Sequence, residues 1–321
     1  MSLLRSSVLA CCFAAALAAP QELPPAPGKL FDIGGGRQLH LLCSGQGSPA
    51  VVLEAGASAF AIDWTIVQSE LAKSHRVCSY DRAGSGWSDP LPADVLATDT
   101  ADLHALLSAA KEPPPYLLVG ASRGGLLIRN YLAAYPTDVA GFVFVDPATE
   151  DRLFGMVGGK AIAIAEMTPE QMRSTLPAVT VRIPRRLVQM GAPFDRLPPE
   201  LYKQRLLLDE RLIASTPATL TPEQIGRYQE QERAMLAALL ATRKTGTPFG
   251  DRPTIVLSRG DERNAEREDV HAQLAKLSTN SRHTVIGGAG HEIHLFHPRA
   301  VINAVNDVLE AIAKKRQLRP E

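Results

Sequence analysis

Short apolar runs alternate with segments of helical periodicity along most of this chain. The apolar runs are continuous, as in Val51–Ala55, Tyr116–Val119 and Val139–Val145, and such runs favour strands that are covered on both faces. Helical spacing of apolar residues follows the second run, predicting a helix that begins at Arg123 and ends before Pro136. The alternation predicts an α/β fold with a parallel sheet and helices on both faces.

The two ends of this pattern complete the predicted sheet. Leu30–Ile33 and Gln38–Cys43 flank a run of three glycines, which indicates a β-hairpin. Thr254–Leu257 and Arg282–Ile286 are predicted to be the last two strands, and a helix from Arg299 to Lys314 closes the chain.

Strand patterns vanish between residues 149 and 250. Helical segments are expected to begin there at Thr168, Pro198 and Thr221, where a cap residue or a proline precedes an acidic first turn. We therefore predict a helical cap inserted after the sixth strand. The predicted parts are a first core segment, residues 29–148, the cap, residues 149–250, and a second core segment, residues 251–321.

The N-terminal residues have the pattern of a secretory signal. Residues 1–18 combine Arg5, an apolar run and the small-residue sequence Ala16-Leu17-Ala18. We expect cleavage, a secreted or periplasmic protein, and a Pro-rich linker over residues 19–28. The apolar run is too short to anchor the chain across a bilayer. Lipoprotein processing at Cys11 is an alternative, although the hydrophobic stretch before it is very short.

Charge and composition narrow the class of partner. Thirty-four basic residues balance thirty-four acidic ones, so no net field attracts nucleic acid or an anionic membrane. A hydrophobic content of 45% suits one large α/β core. A small, neutral substrate is the expectation.

The strand at Tyr116 leads into the sequence Gly120-Ala-Ser122-Arg123-Gly124, which has the pattern of a nucleophile elbow. The turn is so sharp that the positions two before and two after the serine must lack bulk. It lifts the Ser122 hydroxyl clear of the sheet, and the first N–H groups of the following helix point to the space above it. A capping serine in an ordinary strand-to-helix loop is the structural alternative.

Four motifs in order resemble the α/β-hydrolase-fold serine hydrolases over residues 29 to 312. They are Val51-Val-Leu-Glu-Ala-Gly56, Tyr80-Asp-Arg-Ala-Gly-Ser-Gly-Trp-Ser88, Gly120-Ala-Ser-Arg-Gly124 and Gly290-His291. The resemblance implies a mostly parallel, eight-stranded sheet and a triad in the chain order serine, acid, histidine. Ser122 would be the nucleophile and His291 the general base. The implied acid is Asp261, with Asp146 and then Glu262 as alternatives.

The resemblance also implies an oxyanion hole formed by the backbone N–H groups of Ala57 and Arg123. The sequence Ala55-Gly56-Ala57 stands where relatives commonly carry His-Gly, and Ala121 replaces the usual histidine before the nucleophile. These departures leave the substrate class open. No cofactor is implied. A metal site at His291, His294 and His297 is an alternative without an accompanying acidic or cysteine ligand set.

Three further side-chain contacts are expected. A cation at a helix N-terminus opposes the helix dipole, so we expect Arg123 to pair with Glu54, with an acidic substrate group as the alternative. Asp81 and Arg82 are expected to brace their own glycine-rich loop, or else to line the pocket. The implied sheet order places the second and fourth strands side by side, so Cys43 and Cys78 either form a disulfide or remain core thiols.

The expected activity is cleavage of a carboxylic ester, or a related acyl bond, through an acyl-serine intermediate. A serine at the elbow argues against the fold relatives that open halides or epoxides, because those use a carboxylate nucleophile. An acyltransferase or perhydrolase with the same residues is one alternative. A binding protein of the same fold with a vestigial triad is the other.

Overall fold

The computed structural model describes residues 23–91, 99–150, 154–175, 179–182, 187–260 and 265–318. Within these residues one eight-stranded sheet forms the centre of the molecule. Its strands are β1 (Lys29–Asp32), β2 (Gln38–Ser44), β3 (Ala50–Glu54), β4 (Val77–Tyr80), β5 (Tyr116–Ala121), β6 (Val139–Val145), β11 (Thr254–Gly260) and β12 (Ser281–Gly287), and the four strands between β6 and β11 lie outside this sheet. Their order in the sheet is β1-β2-β4-β3-β5-β6-β11-β12. The predicted α/β-hydrolase fold with a mostly parallel eight-stranded sheet is therefore confirmed.

The predicted hairpin forms the antiparallel edge of this sheet. β1 pairs with β2, and β2 pairs with β4, both antiparallel, whereas every other pair in the sheet is parallel. The central strands β3, β4 and β5 are buried throughout, as their continuous apolar sequences predict.

Helices cover both faces of the sheet and divide the core into two apolar clusters. One cluster includes Ile128 of the helix after β5, and the other includes Val305 of the last helix. The helices are α1 (Thr65–Leu71), α2 (Asp99–Ala109), α3 (Arg123–Ala134), α4 (Pro169–Ser174), α5 (Pro199–Ser215), α6 (Pro222–Arg243), α7 (Ala265–Ala275), α8 (Ile293–Phe296) and α9 (Pro298–Lys314). In the described part of the chain, no helix has both the length and the apolar character needed to cross a bilayer.

The segment between β6 and β11 contains the three predicted helices together with short strands that we did not predict. Thr168 and Thr221 cap α4 and α6 with their side chains, as their sequences indicate. Two antiparallel pairs are additional: β7 (Phe154–Val157) with β8 (Lys160–Ala163), and β9 (Val181–Arg182) with β10 (Thr219–Leu220). The inserted segment is therefore mostly helical, as predicted, and only the expectation that it contains no strands was wrong.

The first additional pair has a local cause. Gly158 and Gly159 both have positive φ angles, 56° and 78°, as a two-residue hairpin turn requires. The Gly-Gly dipeptide was the available sequence signal for this hairpin.

Cys43 and Cys78 form a disulfide between β2 and β4, as the implied sheet order allowed. They are direct partners in the antiparallel register of these strands.

We expect the double variant Cys43→Ser/Cys78→Ser to lose about 3–4 kcal/mol of unfolding free energy, because the bond closes a loop with a sequence separation of 35. Urea unfolding would measure the loss. An unchanged unfolding midpoint would contradict a stabilising role, and intact ester hydrolysis by the double variant would show that the bond acts on stability alone.

Candidate active site

Ser122 occupies a strained turn between β5 and α3. Its φ and ψ angles are 50° and −120°, outside the usual regions for a residue with a side chain. A Cβ atom on Gly120 would lie 2.7 Å from the Gly124 carbonyl carbon, and one on Gly124 would lie 2.5 Å from the Glu54 carbonyl oxygen. The sharp strand-to-helix turn that the sequence predicted is present, and both glycines are required by close backbone approach.

Ser122 and His291 line the same small cavity, of about 50 Å³. Ser122 reaches it from the end of β5, and His291 reaches it from the segment between β12 and α8. Among the described residues the two side chains share no hydrogen bond, and in free enzymes such catalytic contacts often tighten only when substrate binds. The cavity is lined by Gly56, Ala57, Ser58, Ala59, Asp63, Ala121, Ser122, Gln189, Phe194, His291, Glu292 and His294.

His291 is oriented by a buried carboxylate. Its Nδ1 lies 2.5 Å from Oδ2 of Asp146, which follows β6 and is 1% exposed. The backbone N–H of Arg259 donates to Asp146 Oδ1 at 3.3 Å, and the Arg259 guanidinium lies 3.4 Å from Oδ2. Burial acts to raise the pKa of Asp146, but the hydrogen bond and charge of His291 and the charge of Arg259 outweigh it and hold that pKa below its usual range. Asp146 is therefore ionised at neutral pH.

This geometry favours the acid that the sequence analysis placed second. Asp261, the first choice, and Glu262 lie outside the described residues. β6 and β11 are parallel neighbours with Val145 opposite Leu257, so carboxylates after either strand emerge at the same edge of the sheet. The sequence could not separate these positions, because an aspartate before Pro147 is also common as a local cap.

The two predicted oxyanion donors are available for a ligand. Arg123 is the first residue of α3, and Ala57 lies in the loop after β3 and lines the cavity. In the described part of the chain, neither backbone N–H has a hydrogen-bond partner. A Cβ atom on Gly56 would lie 3.3 Å from the Ser122 Cβ atom, so this loop passes close to the serine.

Arg82 holds this loop in place. Its guanidinium donates to the carbonyl oxygens of Ala55 at 2.7 Å and Gly56 at 2.5 Å, and to Oε1 of Glu54 at 2.5 Å. Asp81 instead braces the loop after β4, because its carboxylate accepts from the backbone N–H of Trp87 at 3.2 Å. Arg82 therefore braces the loop after β3, and the expectation that it supports its own loop was wrong.

We expect Arg82→Met to lower kcat/KM for an ester by about 100-fold, mostly through kcat. The reason is that the Ala57 N–H would no longer be fixed, and losing one oxyanion donor typically costs two to three orders of magnitude in rate. The double variant Arg82→Met/Glu54→Gln serves as the control, because it removes the buried charge that the single variant would leave unpaired. A kcat within twofold of the wild type in the folded double variant would contradict this role.

The partner of Arg123 is Glu232 of α6, at 2.7 and 2.9 Å from its two carboxylate oxygens. The expected pairing with Glu54 was wrong, because Glu54 is already bonded to Arg82 and to the hydroxyl of Tyr80. Glu232 is 109 residues away in the chain, and no local pattern pointed to it. The ion pair fastens the segment between β6 and β11 to the start of the elbow helix.

A second contact of this kind lies at the cavity and was also missed by the sequence analysis. Arg205 of α5 is fully buried, and its Nε donates to Oδ1 of Asp63 at 3.1 Å. The guanidinium also lies over the Phe194 ring, 4.0 Å from the centroid. Burial raises the pKa of Asp63 to about 6, although the charge of Arg205 opposes the rise.

The alternative of a histidine metal site finds no support in the geometry. Across the described ranges, three or more potential ligands come together only at Cys43, Cys78 and Glu112, and the two cysteines are bonded to each other. His294 packs instead on Trp64, with 4.4 Å between ring centroids.

Comparisons with known proteins agree with this architecture. Among curated proteins, the chain is 35% identical to "Probable transporter efuK" of Hormonema carpetanum over 41% of the chain, but spans only 20% of that protein. It is 25% identical to monoacylglycerol lipase ABHD6 of Rattus norvegicus, covering 82% of this chain and 76% of the lipase.

Two solved structures share the fold. A thermophilic esterase from Thermogutta terrifontis has a TM-score of 0.57 at 19% identity, covering 86% of this chain and 94% of the esterase. The enol-lactonase from Burkholderia xenovorans LB400 has a TM-score of 0.57 at 19% identity, covering 87% of this chain and 99% of the lactonase. A family model described as alpha/beta hydrolase fold matches residues 49–298, which include Ser122, Asp146 and His291. The chain therefore belongs to the alpha/beta hydrolase fold family.

Proposed function

We propose that this protein is a serine hydrolase that cleaves a carboxylic ester, or a related acyl bond, through an acyl-serine intermediate. The observation that carries the proposal is the arrangement at the cavity: a serine on a strained elbow, and a histidine bonded to a buried aspartate. Neither half alone would be specific, since a glycine-flanked serine and a buried His-Asp pair both occur as structural features.

In the proposed reaction, Ser122 Oγ attacks the carbonyl carbon while Nε2 of His291 accepts the hydroxyl proton. The N–H groups of Ala57 and Arg123 stabilise the negative charge that develops on the carbonyl oxygen. The C–O bond to the alcohol then breaks, and His291 returns the proton to the leaving alkoxide. Water attacks the acyl-serine by the same route, releasing the acid and restoring Ser122.

Asp146 acts through His291 in this scheme. Its carboxylate accepts the Nδ1–H of His291, which fixes the tautomer that presents Nε2 as the base. Because the pKa of Asp146 is lowered, the carboxylate remains charged when the imidazolium forms, and the two opposite charges stabilise each other. These steps are completed by side chains and backbone groups of this chain, with no cofactor or metal in any of them.

The similar proteins support acyl-bond cleavage as the reaction class. They include a monoacylglycerol lipase, an esterase and an enol-lactonase. The substrate is expected to be a small molecule, because the cavity at Ser122 is small and the chain has no net charge to attract nucleic acid.

A panel of p-nitrophenyl esters graded from acetate to dodecanoate tests the proposal. We expect release of p-nitrophenol that saturates with substrate, with preference for the short acyl chains. Adding an alcohol or hydrogen peroxide to the assay separates hydrolysis from acyl transfer and perhydrolysis through the product ratio. No turnover of esters, thioesters or lactones would contradict the proposal and favour a binding protein of the same fold.

We further propose that residues 1–18 direct export to the periplasm or the outside of the cell. The Cys43–Cys78 disulfide supports this, since such bonds persist in oxidising compartments. The N-terminus of protein recovered from the exported fraction is expected near Ala19. Protein that keeps residues 1–18 and remains in the cytoplasm would contradict it.

A further inference from the structure

The wall of the candidate active-site cavity is rich in polar groups that are not used in the proposed reaction. Asp63, Gln189, Glu292 and His294 line it together with one aromatic residue, Phe194. Two of the four carry carboxylates, and among the described lining residues there is no lysine or arginine. The cavity therefore presents hydrogen-bond acceptors and disfavours an anionic group.

His294 is the least satisfied of these groups. It is 6% exposed, neither ring nitrogen has a hydrogen-bond partner in the described part of the chain, and Nδ1 is completely buried. Burial, together with the charge of His291, lowers the pKa of His294 to about 3, so the ring is neutral and one nitrogen is an acceptor. The buried Nδ1 cannot be reached from the cavity, so a ligand hydroxyl would bond to Nε2, which keeps accessible surface and is the acceptor when the ring proton is on Nδ1.

Asp63 is held in one orientation on the same wall. Its Oδ1 accepts from Arg205 Nε at 3.1 Å, and its Oδ2 accepts from the backbone N–H of Phe60 at 3.0 Å. Asp63 lines the cavity, and each carboxylate oxygen has two lone pairs, so the carboxylate can accept a further hydrogen bond from a ligand there. The carboxylate is preorganised, because Arg205 is itself fully buried and packed on Phe194.

The size of the cavity limits what can bond to these acceptors. A cavity volume of about 10–15 Å³, measured in the same way, holds one water molecule. A cavity of about 50 Å³ therefore accommodates a short group next to the reacting carbonyl rather than a long chain.

We propose that this site selects short esters in which the group bound in the cavity carries a hydroxyl, with His294 and Asp63 as the acceptors of its hydrogen bond. The inference rests on the proposed function, and it names the substrate class of the same site. The hydroxyl belongs either to the acyl group or to the alcohol group of the ester, and the chemistry of recognition is the same for both.

Four short esters with two-carbon alcohol groups test the inference. Their kcat/KM values are compared, and acid release is followed at constant pH. Ethyl butyrate is the reference, ethyl 3-hydroxybutyrate places the hydroxyl on the acyl side, and 2-hydroxyethyl butyrate places it on the alcohol side. Monoethyl succinate carries a carboxylate instead. We expect one hydroxylated ester to exceed ethyl butyrate by about tenfold, the size of one net hydrogen bond, and the carboxylate ester to be the poorest substrate. The better hydroxylated ester identifies the side that the cavity binds.

The variant His294→Phe keeps a ring against Trp64 and removes both nitrogens. We expect the ratio between the preferred hydroxylated ester and ethyl butyrate to fall from about ten to below three. His294→Gln keeps an acceptor and is expected to retain part of the preference. The matched control is His104→Phe, because His104 stacks on Tyr135 outside the cavity wall, and its ratio is expected to match the wild type.

Two results would overturn the inference while leaving the proposed function intact. One is hydrolysis of ethyl butyrate and both hydroxylated esters at equal kcat/KM by the wild type, which needs no variant to fold. The other is an unchanged ratio in His294→Phe, which would make His294 a packing partner of Trp64 only. Failure to hydrolyse any ester at all would instead remove the proposed function, and the inference with it.

Discussion

The variant Ser122→Ala is expected to lose about six orders of magnitude in kcat for any ester that the wild type hydrolyses. Without the hydroxyl there is no atom to form the acyl-serine, and only binding and the oxyanion donors remain to assist the attack of water. The measurement is initial rate under saturating substrate, at an enzyme concentration high enough to detect the residual activity. Binding of substrate is expected to survive, because the cavity and the Ala57 and Arg123 N–H groups are unchanged.

The control for this experiment is Ser69→Ala on the exposed surface of α1, where the hydroxyl donates to the Ile66 carbonyl. Its activity is expected to equal that of the wild type. Because φ is positive at Ser122, the variant Ser122→Ala needs a parallel check of folding by circular dichroism. Retention of more than a thousandth of the wild-type rate in a folded Ser122→Ala protein would argue against a serine nucleophile.

The variant Asp146→Asn is expected to lower kcat by about four orders of magnitude. An amide in place of the carboxylate no longer fixes the His291 tautomer, and it leaves the imidazolium of the transition state without its opposite charge. The loss should persist across the neutral pH range, because the lowered pKa keeps Asp146 ionised there. Measuring kcat against pH therefore separates this effect from a simple shift of the profile.

Asp261→Asn is the variant to compare with Asp146→Asn, because Asp261 was the orienting acid first expected from the sequence. We expect it to change kcat by less than tenfold, since the described hydrogen bond of His291 goes to Asp146. A larger loss in Asp261→Asn than in Asp146→Asn would reverse the assignment of the orienting acid.

The parts of this fold that were predictable are those with local signals. Continuous apolar runs marked the central strands, and the glycine spacing around Ser122 marked the elbow, because steric limits act within a few residues. The order of Ser122 and His291 along the chain, together with the other motifs, indicated the sheet topology through the resemblance to the α/β-hydrolase fold. The threonine caps at the starts of α4 and α6 were predictable for the same reason, because a cap residue bonds to the first turn of its own helix.

The parts that were missed depend on contacts between distant segments. Whether Asp146 or Asp261 orients His291 depends on the neighbouring ends of β6 and β11, and the sequence allows either. Arg123 needed an anion, and the expected Glu54 was already taken by Arg82. Its actual partner, Glu232, is on α6, and the contact depends on the packing of α6 against α3, which the sequence does not reveal.

The most direct test of the central claim is the intact mass of the protein after reaction with a fluorophosphonate, followed by mapping of the modified peptide. The account predicts one phosphonyl adduct per chain, located on Ser122, formed by the wild type and absent from Ser122→Ala. Formation should be strongly slowed in Asp146→Asn, because His291 could no longer activate the hydroxyl. An unmodified wild-type protein, or an adduct on a residue other than Ser122, would contradict it.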